Sequence, residues 1–184
     1  QVRELCRRTS KPFEYAFLLD ALRDERDQGI TIDAARVFFK SALRHYVVLD
    51  APGHVEFLRN MVTGAARADA ALLVVDAREG VRENSRRHAT MLAMLGVSHV
   101  AVIVNKMDLV GWSEAAFTAV ADEMRAFLGR LDVVPDAIVP VSGFEGVNLV
   151  TRGAEMPWYT GPSVLEVLDG FTAATPPADA PFRM

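Results

Sequence analysis

The chain has 184 residues, of which 51% are hydrophobic and 24% charged, the balance of an ordinary globular protein large enough for one sizeable core. Its formal net charge of −4 supplies no overall attraction to nucleic acid, so no direct nucleic-acid partner is expected. The single cysteine, Cys6, excludes an internal disulfide and a cysteine-cluster metal site, and no apolar run approaches the roughly 20 residues that span a bilayer; a cytoplasmic protein without a membrane partner is expected.

Short apolar runs alternate with helix-like stretches, the pattern of an α/β domain with a largely parallel sheet. In chain order, residues 35–40 and 45–49 read as two strands joined by a short polar turn and paired antiparallel. Three buried strands are predicted over 70–75, 99–104 and 137–141, rich in Val, Ile and Leu without alternation, as for strands covered by helices on both faces. Val81, Met91, Leu92 and Leu95 lie on one side of a helix that Gly96 stops. Phe117, Val120, Met124, Phe127, Leu128 and Leu131 recur at spacings of three and four, with Ser113 as N-cap. Residues 172–181, rich in Ala, Thr and Pro, read as a linker.

In an open parallel sheet, ligands lie beyond the carboxyl ends of the strands, which directs attention to the residues after each run. The second hairpin strand ends in Asp50-Ala51-Pro52-Gly53-His54. There a carboxylate can hold Mg2+ through water and Gly53 lets a backbone N–H approach a terminal phosphate. An Asp-Pro-Gly turn that merely ends a strand is the simpler alternative. The run ending at Val104 is followed by Asn105-Lys106-Met107-Asp108. The Asp108 carboxylate can accept from the N1–H and exocyclic amine of guanine, a donor pair that adenine lacks. The Lys106 stem can lie along the base and Asn105 can tie neighbouring loops. After the last strand, Ser142-Gly143 offers backbone N–H groups to the guanine O6, although Ser-Gly is also ordinary turn chemistry.

Upstream, Gly29-Ile30-Thr31 forms a candidate switch segment, with the Thr31 hydroxyl on Mg2+ and its N–H on a γ-phosphate; the alternative is a β-branched residue starting a strand. His54 is the candidate catalytic residue, orienting an attacking water. The phosphate-cradling pattern Gly-x-x-x-x-Gly-Lys-Ser/Thr is absent, since no Gly-Lys pair occurs in the sequence. With Gln1 first and Ala180-Pro181-Phe182-Arg183-Met184 last, the chain reads as a piece of a longer one whose first strand and phosphate loop lie upstream.

With these motifs in order, the chain resembles the GTP-binding domain of translation-type GTPases from about Phe13 to Leu168. Gly29-Ile30-Thr31-Ile32-Asp33, Asp50-Ala51-Pro52-Gly53-His54, Asn60-Met61-Val62-Thr63-Gly64-Ala65 and Asn105-Lys106-Met107-Asp108 carry the likeness. Within that superfamily, four stretches are most similar to the large GTPase subunits of sulfate adenylyltransferase, including the nodulation-type version fused to adenylylsulfate kinase. They are Leu18-Leu19-Asp20-Ala21-Leu22, Glu25-Arg26-Asp27-Gln28-Gly29, Ser85-Arg86-Arg87-His88 and Met156-Pro157-Trp158-Tyr159-Thr160-Gly161-Pro162. Elongation factors usually have arginine where Gln28 stands, whereas the Met-Pro-Trp-Tyr stretch has counterparts in eukaryotic and archaeal elongation factors. Ser142-Gly143-Phe144 replaces the more usual Ser-Ala-Leu, and Ala51 stands where the sulfate enzymes commonly have threonine.

The resemblance implies a P-loop NTPase G domain over residues 1–171: a mostly parallel sheet with one antiparallel strand, helices on both faces, and the first strand and P-loop missing. Residues 172–184 would lead into a β-barrel domain. The implied ligands are GTP and Mg2+, and the implied partner is the small catalytic subunit of a sulfate adenylyltransferase heterodimer. In that enzyme GTP hydrolysis drives formation of adenylylsulfate and pyrophosphate from ATP and sulfate. The alternative is an elongation-factor-like GTPase that delivers aminoacyl-tRNA.

Overall fold

A computed structural model describes residues 35–51 and 68–172. The polar turn at residues 41–44 brings β1 (Ala35–Lys40) and β2 (His45–Asp50) together antiparallel, Ala35 opposite Asp50 and Lys40 opposite His45. Ser41 organises this turn: its Oγ accepts from the amides of Leu43 and Arg44, both at 3.1 Å, the hydroxyl-to-backbone chemistry that favours serine in turns.

The other strands, β3 (Ala70–Asp76), β4 (His99–Asn105) and β5 (Ala137–Pro140), form a parallel sheet in the order β3-β4-β5. Two helices make the returns. The first, α1 (Glu83–Leu95), stops at Gly96, whose φ of 68° gives the left-handed cap that glycine adopts without steric cost. Val81 precedes the helix but still packs against the core. The second, α2 (Glu114–Gly129), begins at Ser113, whose side chain accepts from the Ala116 amide at 3.3 Å. Leu131 lies just beyond its end and remains packed below the sheet. A short α3 (Val164–Gly170) closes the described chain, capped reciprocally by Ser163 and Glu166.

The apolar strands have buried β4 on both faces. Val102 and Val104 meet Leu73, Val75, Ala89, Val120, Met124 and Leu128 on the α1/α2 side, while Ala101 and Ile103 meet Val139, Val164 and Val167 on the α3 side. This is the expected α/β architecture, with two differences. Leu72 and Val74 of β3 are exposed, and no described element lies over that part of the sheet. Moreover, among the described residues the hairpin is a separate two-stranded sheet, not an extension of the parallel one.

The hairpin is instead tied to the end of α3. Ser41 Oγ donates to Asp169 Oδ1 at 2.7 Å, and Tyr46 Oη donates to the same oxygen. The Arg44 guanidinium reaches the carbonyls of Phe171 (2.6 Å) and Asp169 (2.9 Å). Beside them His99, the first residue of β4, stacks on Phe171 at 5.1 Å and bridges Asp136 to Thr172.

Candidate guanine-nucleotide site

The carboxyl ends of β4 and β5 bring the two downstream motifs together. Asn105 is the last residue of β4. Its Oδ1 accepts from the amide of Lys106 at 2.7 Å and from that of Gly143 at 2.9 Å, so one side-chain oxygen joins loops separated by 38 residues. A Cβ at Gly143 would stand 3.4 Å from this oxygen, an ordinary contact that an alanine could make.

Lys106 has φ 66° and starts a 3-10 helix, Met107–Val110. That left-handed conformation costs a non-glycine residue about 1–2 kcal/mol, and the surroundings hold it. Met107 is wholly buried and its amide donates to the Val141 carbonyl at 3.1 Å. The amide of Trp112 donates to the Met107 carbonyl, and the Trp112 carbonyl in turn accepts from Trp158 Nε1, each at 3.0 Å. Trp158 packs on Phe117 with ring centroids 5.4 Å apart. The Met-Pro-Trp-Tyr stretch thus braces the motif from behind.

Asp108 Oδ1 is buried and has no hydrogen-bond partner among the described residues. An unpaired acceptor of this kind ordinarily costs about 1–3 kcal/mol. Ser142 is buried, with Oγ accepting from the Glu145 amide at 3.1 Å, whereas Gly143 and Phe144 are exposed at the rim.

Asp50 ends β2 opposite Ala35, with Ala51 immediately after the strand. Gly29, Ile30, Thr31, Pro52, Gly53 and His54 lie outside the described residues. Among the described residues no group of three or more His, Cys, Asp and Glu side chains gathers as a metal cluster, and no helix is long and apolar enough to cross a membrane.

One further side chain enters the site, at the end of the apolar run that raised no expectation. Asp76 closes β3 opposite Asn105, and its Oδ2 pairs with Lys106 Nζ at 2.7 Å. The other oxygen accepts from the amides of Arg78 (2.8 Å) and Glu79 (3.2 Å). Burial alone would raise the Asp76 pKa, but the Lys106 ammonium and the two amides together reverse this and bring it below the usual carboxylate value. The hydrogen bond that Lys106 donates to Asp76 correspondingly raises the lysine's own pKa, against burial. Applying to β3 the rule that directs attention to strand ends would have found Asp76 in the sequence.

The family model for the elongation factor Tu GTP binding domain matches residues 2–176, and the chain belongs to this family of GTPase domains. It is 42% identical over 174 residues to elongation factor 1-alpha of Thermococcus kodakarensis, covering 95% of this chain and 41% of that protein. It is 48% identical over 161 residues to the bifunctional enzyme CysN/CysC of Xylella fastidiosa, covering 88% of this chain and 26% of that protein. Among solved structures, a bacterial selenocysteine-specific elongation factor superposes with a TM-score of 0.67 at 26% identity, over 84% of this chain and 25% of the other. The chain therefore spans between a quarter and two-fifths of these relatives.

Proposed function

We propose that this domain binds and hydrolyses GTP as part of the large subunit of a sulfate adenylyltransferase. The observation that carries the guanine reading is the buried, unpartnered Asp108 Oδ1. A carboxylate oxygen held out of water without a donor suits a ligand that brings its own, and guanine presents N1–H and an amine side by side. Lys106 lays its stem along the base, Met107 anchors the loop, and the Ser142-Gly143 backbone meets O6.

Asp50, Ala51, Pro52 and Gly53 would serve the terminal phosphate, and Thr31 together with Asp50 acting through water would hold Mg2+. A single carboxylate at a strand end suits this ion, which keeps several waters and takes few protein ligands. When bound, Mg2+ neutralises charge on the phosphates. His54 orients the attacking water, and Gly29-Ile30-Thr31 senses whether the γ-phosphate is present.

The sulfate-activating assignment is supported by Gln28 and the stretches around it, together with the identity to CysN/CysC proteins, which is 47% in Mycobacterium tuberculosis. In this role the domain is the energy-coupling switch of a heterodimer whose small subunit joins ATP and sulfate. Residues 172–184 lead to the next domain. The second reading, an elongation-factor-like carrier of aminoacyl-tRNA, draws on the alignment with elongation factor 1-alpha across 95% of the chain.

The deciding experiment measures pyrophosphate release from ATP and sulfate by the full-length protein and its small partner, with and without GTP. Stimulation by GTP establishes the sulfate-activating role. Absence of stimulation, from protein that still hydrolyses GTP, moves the assignment to the carrier.

A further inference from the structure

We propose that Asp76 is a positioning residue for the guanine-nucleotide site: it holds the Lys106 ammonium at the end of β3 so that the lysine stem is laid across the rim before the nucleotide arrives. The inference rests on the guanine-binding reading above and adds a residue to it.

Three features of the geometry converge. First, the Asp76 carboxylate is itself fixed. Its Oδ1 is committed to the amides of Arg78 and Glu79, leaving Oδ2 aimed at Lys106 Nζ. Second, the frame around the pair is rigid. Asp76 and Asn105 are register partners, and the ladder continues one step further through the Ala77 amide to the Asn105 carbonyl at 2.8 Å. Third, Lys106 has its backbone held in the left-handed region, so its side chain leaves the loop in one direction and bridges from β4 to β3.

A free lysine side chain is rich in rotamer entropy. Anchoring the ammonium beforehand removes part of that cost from the binding step, which is how preorganisation raises affinity. The four-carbon stem between the two anchors is the apolar surface on which the planar base of a guanine nucleotide lies. Asp108, two residues on, then reads the edge of that base.

The test is calorimetric titration of the full-length protein with GDP and Mg2+, comparing wild type, Asp76→Asn, Lys106→Met and the double variant. Asparagine keeps an oxygen for the amides of Arg78 and Glu79, so the turn is preserved while the charge is lost. Asp76→Asn is expected to weaken GDP binding by about tenfold in the wild-type background and by less than about twofold when Lys106 is already methionine. Asp76→Ser, whose hydroxyl can also accept from the Arg78 amide, repeats the test should the asparagine variant melt early. Binding within about twofold of wild type for a folded Asp76 variant, or equal losses in both backgrounds, overturns the proposal. Failure of the wild-type protein to bind GDP overturns the guanine reading itself, and the proposal with it.

Discussion

Asp108 and Lys106, two residues apart in one tetrapeptide, are held in opposite ways. Asp108 keeps a buried oxygen without a donor, whereas Lys106 is held by an ion pair and by a backbone conformation that a side chain normally avoids. The unpaired oxygen and the left-handed backbone both oppose stability, the pattern expected of residues kept for a ligand, while the ion pair favours the lysine in its place. Asp108→Asn replaces an acceptor-only group by one that also donates. GDP affinity of the full-length protein should fall by at least about a hundredfold, and preference for guanine over a base bearing a carbonyl in place of the amine should shrink or reverse. Titration with GDP and xanthosine diphosphate measures both, and retained guanine selectivity would remove Asp108 from its assigned role. These two residues were legible in the sequence because Asn-Lys-Met-Asp follows an apolar run. Asp76 was less so, since a lone aspartate ending a strand is commonplace until its partner is seen.

At the scale of elements, the hairpin, the three parallel strands and both long helices follow from local pattern. β-Branched runs mark the strands, Ser113 and Gly96 mark helix ends, and a serine-bearing turn sets the hairpin register. Element ends were less legible. Val81 and Leu131 share the apolar spacing of their helices yet sit outside them, because packing against the core asks only for an apolar side chain at the right place. The short α3 depends most on its cap. Ser163 is fully buried, its Oγ donating to the Val150 carbonyl at 3.0 Å while accepting from the Glu166 amide at 3.3 Å. Ser163→Ala leaves both groups without that partner and is expected to lower stability by about 1–2 kcal/mol, measured as a shift in the urea midpoint at constant slope.

For the molecule as a whole, Asp169 links parts of the chain more than 120 residues apart. The hydrogen bond from Tyr46 and then that from Ser41 hold its pKa below the ordinary 3.8. A carboxyl whose pKa is depressed by folding contributes stability above its unfolded value, and that contribution disappears as pH falls through the folded value. Asp169→Asn is therefore expected to lower the melting temperature near neutrality and to flatten its decline below about pH 4. An unchanged acid limb in the variant would show that the contact adds nothing to stability. This long-range tie was invisible in the sequence, where Ser41, Arg44, Tyr46 and Asp169 belong to no motif. So was the exposure of Leu72 and Val74 among the described residues, because the continuous apolar run 70–75 specifies a strand without saying which neighbours cover it.

The placement of that tie has a mechanical consequence. β2 is anchored at its His45 end, where the turn meets α3, and carries Asp50 five residues along, a span of about 17 Å. No ladder joins it to β3 among the described residues. The bonds from Ser41, Arg44 and Tyr46 to Asp169 and Phe171 thus make the strand that carries Asp50 and the last turn of α3 one connected unit.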